Sequence, residues 1–298
     1  MESAFSPKQV QKEKRPVYSY YPGCSLHSTG LEYGQSTREV FRALEFELAE
    51  LDGWNCCGAS SAHALNHTLA YALPARTLAL AQAMGRELVT PCAACFNRLK
   101  QADHALKSEP ELRAEIESVV GFQYSGEVAI RPVLAVLFED VPASRLVELV
   151  KFPLNGLKVV PYYGCLLVRP PQVTRFDDPD HPQVMTKLLR SIGAEVMDWS
   201  HATDCCGAGL SLGRPDVVQG LVGRLVERAR EAGAQALVTA CPLCQMNLEM
   251  RQTSPDKMPA IYFTELLGLA FGLPEAKKWW PKHLIDPRPV LRMAGVSV

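Results

Sequence analysis

The stretch Leu88-Val89-Thr90-Pro91-Cys92-Ala93-Ala94-Cys95 returns 149 positions later as Leu237-Val238-Thr239-Ala240-Cys241-Pro242-Leu243-Cys244. Each copy is a short run of apolar and β-branched residues, which predicts a strand, running into Cys-x-x-Cys. A helical pattern follows each, over 94–105 and 243–252. Working outward, Cys56-Cys57-Gly58-Ala59 precedes the first copy and Cys205-Cys206-Gly207-Ala208 the second, again 149 positions apart. Further out, Tyr20-Tyr21-Pro22-Gly23-Cys24 answers Tyr162-Tyr163-Gly164-Cys165, where the lone cysteines are 141 apart. The eight extra residues of the second copy are assigned to the polar loop Phe176–Pro182. An Asn follows each Cys-x-x-Cys, at Asn97 and Asn247. A period this long is a duplicated domain, not a solenoid repeat.

The order of elements sets the fold class. Strands are expected at 17–21, 46–50 and 87–90, and again at 157–162, 195–198 and 236–239. Helices are expected at 36–44, 62–84, 183–192 and 215–232. Pro215 suits a first helical position, and Pro74 is expected to kink or end part of the helix it falls in. The segments 126–140 and 258–272 each read as a strand leading into a Leu-rich helix. Alternating strand and helix predicts α/β architecture. The expectation is two duplicated domains, each a small parallel sheet with flanking helices, related by pseudo-two-fold symmetry. The proposed division is a polar tail 1–15, a first domain 16–150 and a second domain 151–298. The cysteines then lie at the carboxyl ends of strands, the ligand-binding edge of open α/β sheets. Helix N-termini there favour thiolates and an anionic group.

Composition narrows the function. The 298 residues are 47% hydrophobic and 21% charged, with a net charge of -1, so nothing basic points to nucleic acid. Met1–Arg15 has no apolar core of a signal sequence, and no apolar run reaches the roughly 18 residues of a membrane helix. A cytoplasmic location is expected, with any membrane association coming through a partner. In that reducing setting, cysteines serve metals or redox chemistry more often than structural disulfides.

All ten cysteines fall in the duplicated pattern: Cys24, Cys56, Cys57, Cys92 and Cys95 in one half, Cys165, Cys205, Cys206, Cys241 and Cys244 in the other. Soft thiolates select iron–sulfur clusters, zinc or copper(I). Four suffice for a structural zinc or an ordinary cluster, and adjacent cysteines fit one small ion poorly. The fifth ligand therefore favours a polynuclear site, with zinc as the alternative. Other polar candidates are weaker. His27 lies just past Cys24, His63 and His67 follow Cys57 at i, i+4 spacing, and His201 precedes Cys205. Arg169 can meet an anionic substrate or form a surface ion pair. Trp54 can shield a site or belong to the core. One of Tyr20, Tyr21, Tyr162 and Tyr163 can donate to a sulfur.

This cysteine pattern, with Tyr-Tyr-Pro-Gly-Cys-Ser-Leu, Trp-Asn-Cys-Cys-Gly-Ala and Ala-Cys-Pro-Leu-Cys-Gln-Met-Asn-Leu around it, resembles the B-type polypeptide of heterodisulfide reductase and the wider CCG (cysteine-rich domain) family over residues 17–272. The resemblance implies two non-cubane [4Fe–4S] clusters, one on each set of five cysteines, flanking a cavity between the domains. It implies disulfide reduction there, or thiol or persulfide oxidation in reverse. The disulfide of coenzyme M and coenzyme B, or a lipoyl species, would be the substrate. It also implies a C-type iron–sulfur partner subunit and a flavin-containing A-type subunit. This chain has no Gly-x-Gly-x-x-Gly and no closely spaced cubane motif. The competing implication is an electron-transfer, quinone-linked subunit of a membrane-associated dehydrogenase such as succinate dehydrogenase.

Overall fold

A computed structural model describes residues 15–59 and 62–298; most of the polar tail expected at 1–15 lies outside them. In the first half, β1 (Val17–Tyr20), α1 (Leu31–Ala43) and β2 (Glu47–Glu50) are followed by α2 (Ala62–Leu65), α3 (His67–Met84) and β3 (Leu88–Thr90). Then come α4 (Ala93–Ser108), α5 (Pro110–Val120), β4 (Ile130–Pro132), α6 (Val133–Glu139) and α7 (Ala143–Leu149). The second half runs β5 (Lys158–Tyr162), α8 (Pro171–Thr174), α9 (Val184–Ser191), β6 (Glu195–Val196), α10 (Pro215–Glu231) and β7 (Ala236–Thr239). It ends with α11 (Pro242–Met250), β8 (Ala260–Tyr262), α12 (Phe263–Ala270) and α13 (Arg288–Met293). The proposed boundary at 150/151 falls between α7 and β5.

The strands form two sheets of order β2-β1-β3-β4 and β6-β5-β7-β8. Every pairing is parallel. The second order is the first with each strand replaced by its copy, so the duplication read from the cysteines extends to the topology. The extra length of the second copy lies before α9, as α8 and the loop to Gln183. There Asp177 accepts the backbone N–H groups of Gln183 and Val184 and so caps α9.

The halves pack reciprocally: α1 lies on α12, and their copies α9 and α6 lie on each other. At the first contact Tyr33 and Tyr262 stack with centroids 4.1 Å apart, and Ser36 and Thr264 share a buried 2.7 Å hydrogen bond. One apolar core runs through both halves, and a smaller one lies under α10. The Leu-rich α12 is buried along its whole length.

One expected helix departs from its reading. The span 62–84 is two helices, not one weakened at Pro74. The break is at Asn66, whose Oδ1 accepts the Leu69 N–H at 2.8 Å and starts a new helix. A capped N-terminus satisfies an orphan donor. Pro74 sits buried inside α3, where packing on α4 outweighs one missing ladder bond. Among the described residues, no helix is long and apolar enough to cross a membrane.

Candidate metal centres

In each half the five cysteines converge at the carboxyl end of the sheet. Cys24 and Cys165 follow β1 and β5, Cys92 and Cys241 stand at the starts of α4 and α11, and Cys95 and Cys244 lie in the first turns of those helices. Short sulfur contacts tie each set together: Cys24 to Cys56 at 3.5 Å, Cys57 to Cys95 at 3.4 Å and, in the copy, Cys206 to Cys244 at 3.6 Å. All ten thiols are free.

Glycine makes this convergence possible. Gly23 and Gly164 hold φ of +76° and +64°, and a Cβ there would lie 2.8 Å from Cys95 Sγ and 3.2 Å from Cys244 Sγ. The glycine before each lone cysteine is thus the point where backbone approaches sulfur.

The Cys-Cys turns are built alike. Gly58 N–H donates to Cys56 Sγ at 3.4 Å, and Gly207 N–H to Cys205 Sγ at 3.3 Å. Hydrogen bonds from Cys24 and Cys57, with that N–H, hold Cys56 far below the usual thiol range. The Cys165 thiol and the Gly207 N–H bring Cys205 down to about 6 against the opposing effect of burial. Each half therefore carries a preferred thiolate at the same place.

Tyrosines fix these turns from below. Tyr21 donates to the Asn55 carbonyl at 2.8 Å, and Tyr162 to the Asp204 carbonyl at 2.7 Å, each on the residue just before Cys-Cys. Burial, then the nearby cysteines, push both phenols up. The structural partner of Tyr21 is therefore Tyr162, with Pro22 in the place of Tyr163. Tyr163 instead accepts the Met185 N–H at 2.7 Å, and Tyr20 lies under the Arg38 guanidinium at 4.7 Å. No tyrosine hydroxyl is bonded to a sulfur among the described residues.

The two sets meet at their buried members. Cys241 beside it pushes the Cys92 thiol up, while Cys244 and then Cys92 hold Cys241 well below the usual thiol range. On the outer side, Cys24 and Cys205 are exposed.

The remaining candidates disperse. His27 is 3.3 Å from Glu50 Oε1 and packs on Trp54, which also donates to Glu50; Trp54 is half-buried against the edge of Tyr21. His63 bonds the Gly58 carbonyl at 3.3 Å, while His67 stands on the next helix beside Tyr71. The break at Asn66 removes the single helical face expected for that pair. His201 lies against Trp199 and bonds Ser200. Arg169 pairs with Asp180 at 2.7 Å in solvent, the ion-pair alternative of its two readings.

Two features carry no local sequence signal. Asn97 is buried and its Nδ2 donates across to the Leu166 and Arg169 carbonyls at 2.9 and 2.7 Å, whereas Asn247 donates to Cys206 O within its own half. His283 is enclosed between Glu249 and Glu265, both at 3.1 Å. Burial alone would lower its pKa, but the two carboxylates outweigh that and hold it at about 11.

Among the described residues, no group of three or more His, Cys, Asp or Glu is arranged around a single metal ion. Ten thiols in two sets of five, at helix starts with backbone N–H groups turned to sulfur, are the donor chemistry of a larger iron–sulfur unit.

Comparison with known proteins agrees with this donor set. The cysteine-rich domain (CCG) model matches residues 18–100 and 159–249. The 8-methylmenaquinol:fumarate reductase membrane anchor subunit of Wolinella succinogenes is 29% identical over 93% of this chain and 98% of its own length. The B-type polypeptide of the ferredoxin/F420H2-dependent CoB-CoM heterodisulfide reductase of Methanosarcina acetivorans is 27% identical over 85% of this chain and 89% of its own. A protein of Archaeoglobus profundus, described as like the B-type polypeptide of heterodisulfide reductase, is 29% identical over 87% of this chain and 92% of its own. A crystal structure of a hypothetical protein from Helicobacter pylori superposes with a TM-score of 0.68 at 11% identity, covering 90% of this chain and 51% of that one, and shares the fold.

Proposed function

We propose that this chain, which belongs to the cysteine-rich (CCG) domain family, is the iron–sulfur subunit of a redox complex of the heterodisulfide reductase type. Cys24, Cys56, Cys57, Cys92 and Cys95 would hold one [4Fe–4S] cluster, and Cys165, Cys205, Cys206, Cys241 and Cys244 the other, both of the non-cubane kind. Such a pair supplies one-electron steps at two neighbouring centres. A disulfide consumes two electrons and two protons and releases two thiols, so adjacent centres suit it. The observation that supports this most is the convergence of two like sets of five thiols, each held together by short sulfur contacts, whose buried members Cys92 and Cys241 shift each other's ionisation.

The chain's own residues have definite work in that reading. Gly58 and Gly207 N–H groups stabilise negative sulfur. Tyr21 and Tyr162 hold the Cys-Cys turns and wall the inner side with buried rings. The outer side stays open at Cys24 and Cys205. Near the Cys-Cys turns, Leu65, Leu69, Leu210 and Leu212 are exposed. An apolar rim of this kind suits a partner. In this reading the partner is the C-type iron–sulfur subunit, which in turn joins the flavin-containing A-type subunit.

A second reading is favoured by the likeness to the membrane anchor subunit of the Wolinella enzyme: an electron-transfer subunit linked to a quinone. Iron and acid-labile sulfide on anaerobically purified protein, with EPR before and after a thiol or disulfide, separate the possibilities. Two clusters require about eight iron and eight sulfide per chain. A signal altered by thiol supports disulfide chemistry, an unaltered one the electron-transfer reading, and zinc without sulfide neither.

A further inference from the structure

Two seams join the halves beside the cysteines, and they are built differently. At one, Asn97, two residues after Cys95, stitches α4 to the turn after Cys165 through two part-buried hydrogen bonds. The residue 149 positions later, two after Cys244, is Met246. A thioether has no donor, and the seam between α11 and the turn after Cys24 is not stitched. It holds a cavity of about 280 Å³ whose walls include Ser28, Glu32, Met246, Met250, Lys282 and Leu284.

Glu32 is the informative wall. Its side chain comes from the first turn of α1, the residue is only 2% exposed, and Oε1 has no hydrogen-bond partner among the described residues. A buried carboxyl oxygen left bare is costly while charged, so this carboxyl is stabilised by protonation or by a polar group brought against it from the cavity that Glu32 lines. Behind it lie Glu249 and Glu265 with His283 between them, two carboxylates against one imidazolium. Lys282 stands at the rim in solvent, where screening leaves it little hold on an anion. Burial, then Glu265, push Glu32 up to about 7, so near neutral pH its carboxyl can donate a proton or accept one. The rest of the lining is Ser28, Thr29 and Gln245 on the polar side and Leu31, Met246, Met250 and Leu284 on the apolar side, the latter an adaptable surface that suits a flat body.

We propose that this cavity binds an uncharged molecule of one or two rings that presents a hydroxyl or carbonyl oxygen to Glu32 and lays its apolar body against Met246, Met250 and Leu284. The volume is near the lower end for small-molecule sites. The carboxyl of Glu32, which faces the ligand while Glu249 and Glu265 are engaged by His283, excludes an anionic head on the same ring. This assignment does not depend on what the cysteines hold.

The test uses the anaerobically purified protein and two probes with one ring system, 2-naphthol and 2-naphthoate, with binding followed by probe fluorescence. At pH 7.5 the expectation is one saturable naphthol site per chain, and naphthoate at least about tenfold weaker. Glu32→Gln should keep naphthol and bring naphthoate to within about threefold of it, because the repelling charge is gone. Met246→Asn supplies the donor of the other seam and should weaken naphthol at least about tenfold with iron content unchanged. Should that variant lose iron, Met250→Trp fills the same cavity from the exposed side of α11 and must have the same effect on naphthol. Equal affinity for both probes, no saturable naphthol binding, an unchanged ratio in Glu32→Gln, or naphthol binding that survives filling of the cavity would each overturn the proposal.

Discussion

Replacing Gly23 by Ala tests whether the chain is shaped around its sulfurs. Two costs combine. With φ +76° and ψ +161°, Gly23 sits in a backbone region essentially reserved to glycine, which charges an ordinary residue about 1–3 kcal/mol. The new methyl would also stand 2.8 Å from Cys95 Sγ, closer than real Cβ contacts allow. Cys95 is only 4% exposed and is held against Cys57 at 3.4 Å, so the sulfur cannot swing clear without disturbing its set. Overpacking of this kind costs about 1–3 kcal/mol, giving about 2–6 kcal/mol together with the backbone cost.

Gly53 supplies the control: its φ is +64°, and a Cβ there meets nothing within 4 Å. Gly53→Ala should therefore cost about 1–2 kcal/mol from backbone alone and leave the metal content intact. Gly164→Ala, with its contact at 3.2 Å, should fall between. Anaerobic urea unfolding gives the energies, and iron per chain gives the site. Gly23→Ala should lose the first set's iron, about half the total in a two-cluster protein, and keep the second set's signal. Equal stability loss in Gly23→Ala and Gly53→Ala, with full iron in both, would refute the view that the strand-end glycine is dictated by the sulfur behind it.

Asn97→Ala should cost about 1–3 kcal/mol, since two part-buried carbonyls lose their donor together; urea unfolding measures it. Arg169→Ala should change stability by less than about 1 kcal/mol, as expected of an exposed ion pair, and leave iron content and any thiol response unaltered. His283→Gln leaves two buried carboxylates without their cation and should cost about 3–5 kcal/mol at neutral pH. Its sign with pH is fixed by the raised pKa. The imidazolium's contribution is full below the usual value of 6.5 and is lost as pH rises through about 11. The gap between wild type and His283→Gln in thermal unfolding should therefore narrow toward alkaline pH.

The parts of this fold that were legible from sequence are those in which local pattern and covalent spacing do the specifying. Strand, Cys-x-x-Cys and helix are contiguous at 88–108 and at 237–250, so propensity alone places them. Equal spacing from Cys-Cys to Cys-x-x-Cys in the two halves requires equal paths, and the matching sheet orders follow. What failed were inferences from likeness of letters. Asn97 and Asn247 look like copies, yet one reaches Leu166 across the seam and the other Cys206 in its own half. His63 and His67 have helical spacing, but the side chain of Asn66 between them ends one helix and begins another. Spacing describes a helix only while no residue inside it offers the backbone a better partner.

What no local pattern can reveal is a contact whose partners are far apart in the chain, and here those contacts distinguish the two halves. Glu32, Glu249, Glu265 and His283 meet in one buried region although their positions span 251 residues. At the other seam no such group does the joining: Asn97 and two carbonyls do it. A duplicated chain begins with two equal seams, and any ligand that one of them accepts is accepted by the other. Once one seam is stitched by an amide and the other lined by a thioether and a buried acid, the pair no longer responds alike to the same molecule. The spacing from Cys-Cys to Cys-x-x-Cys is the same in both halves while the seams beside it differ at Glu32, Asn97 and Met246, so the two halves are made unequal by these residues and not by that spacing.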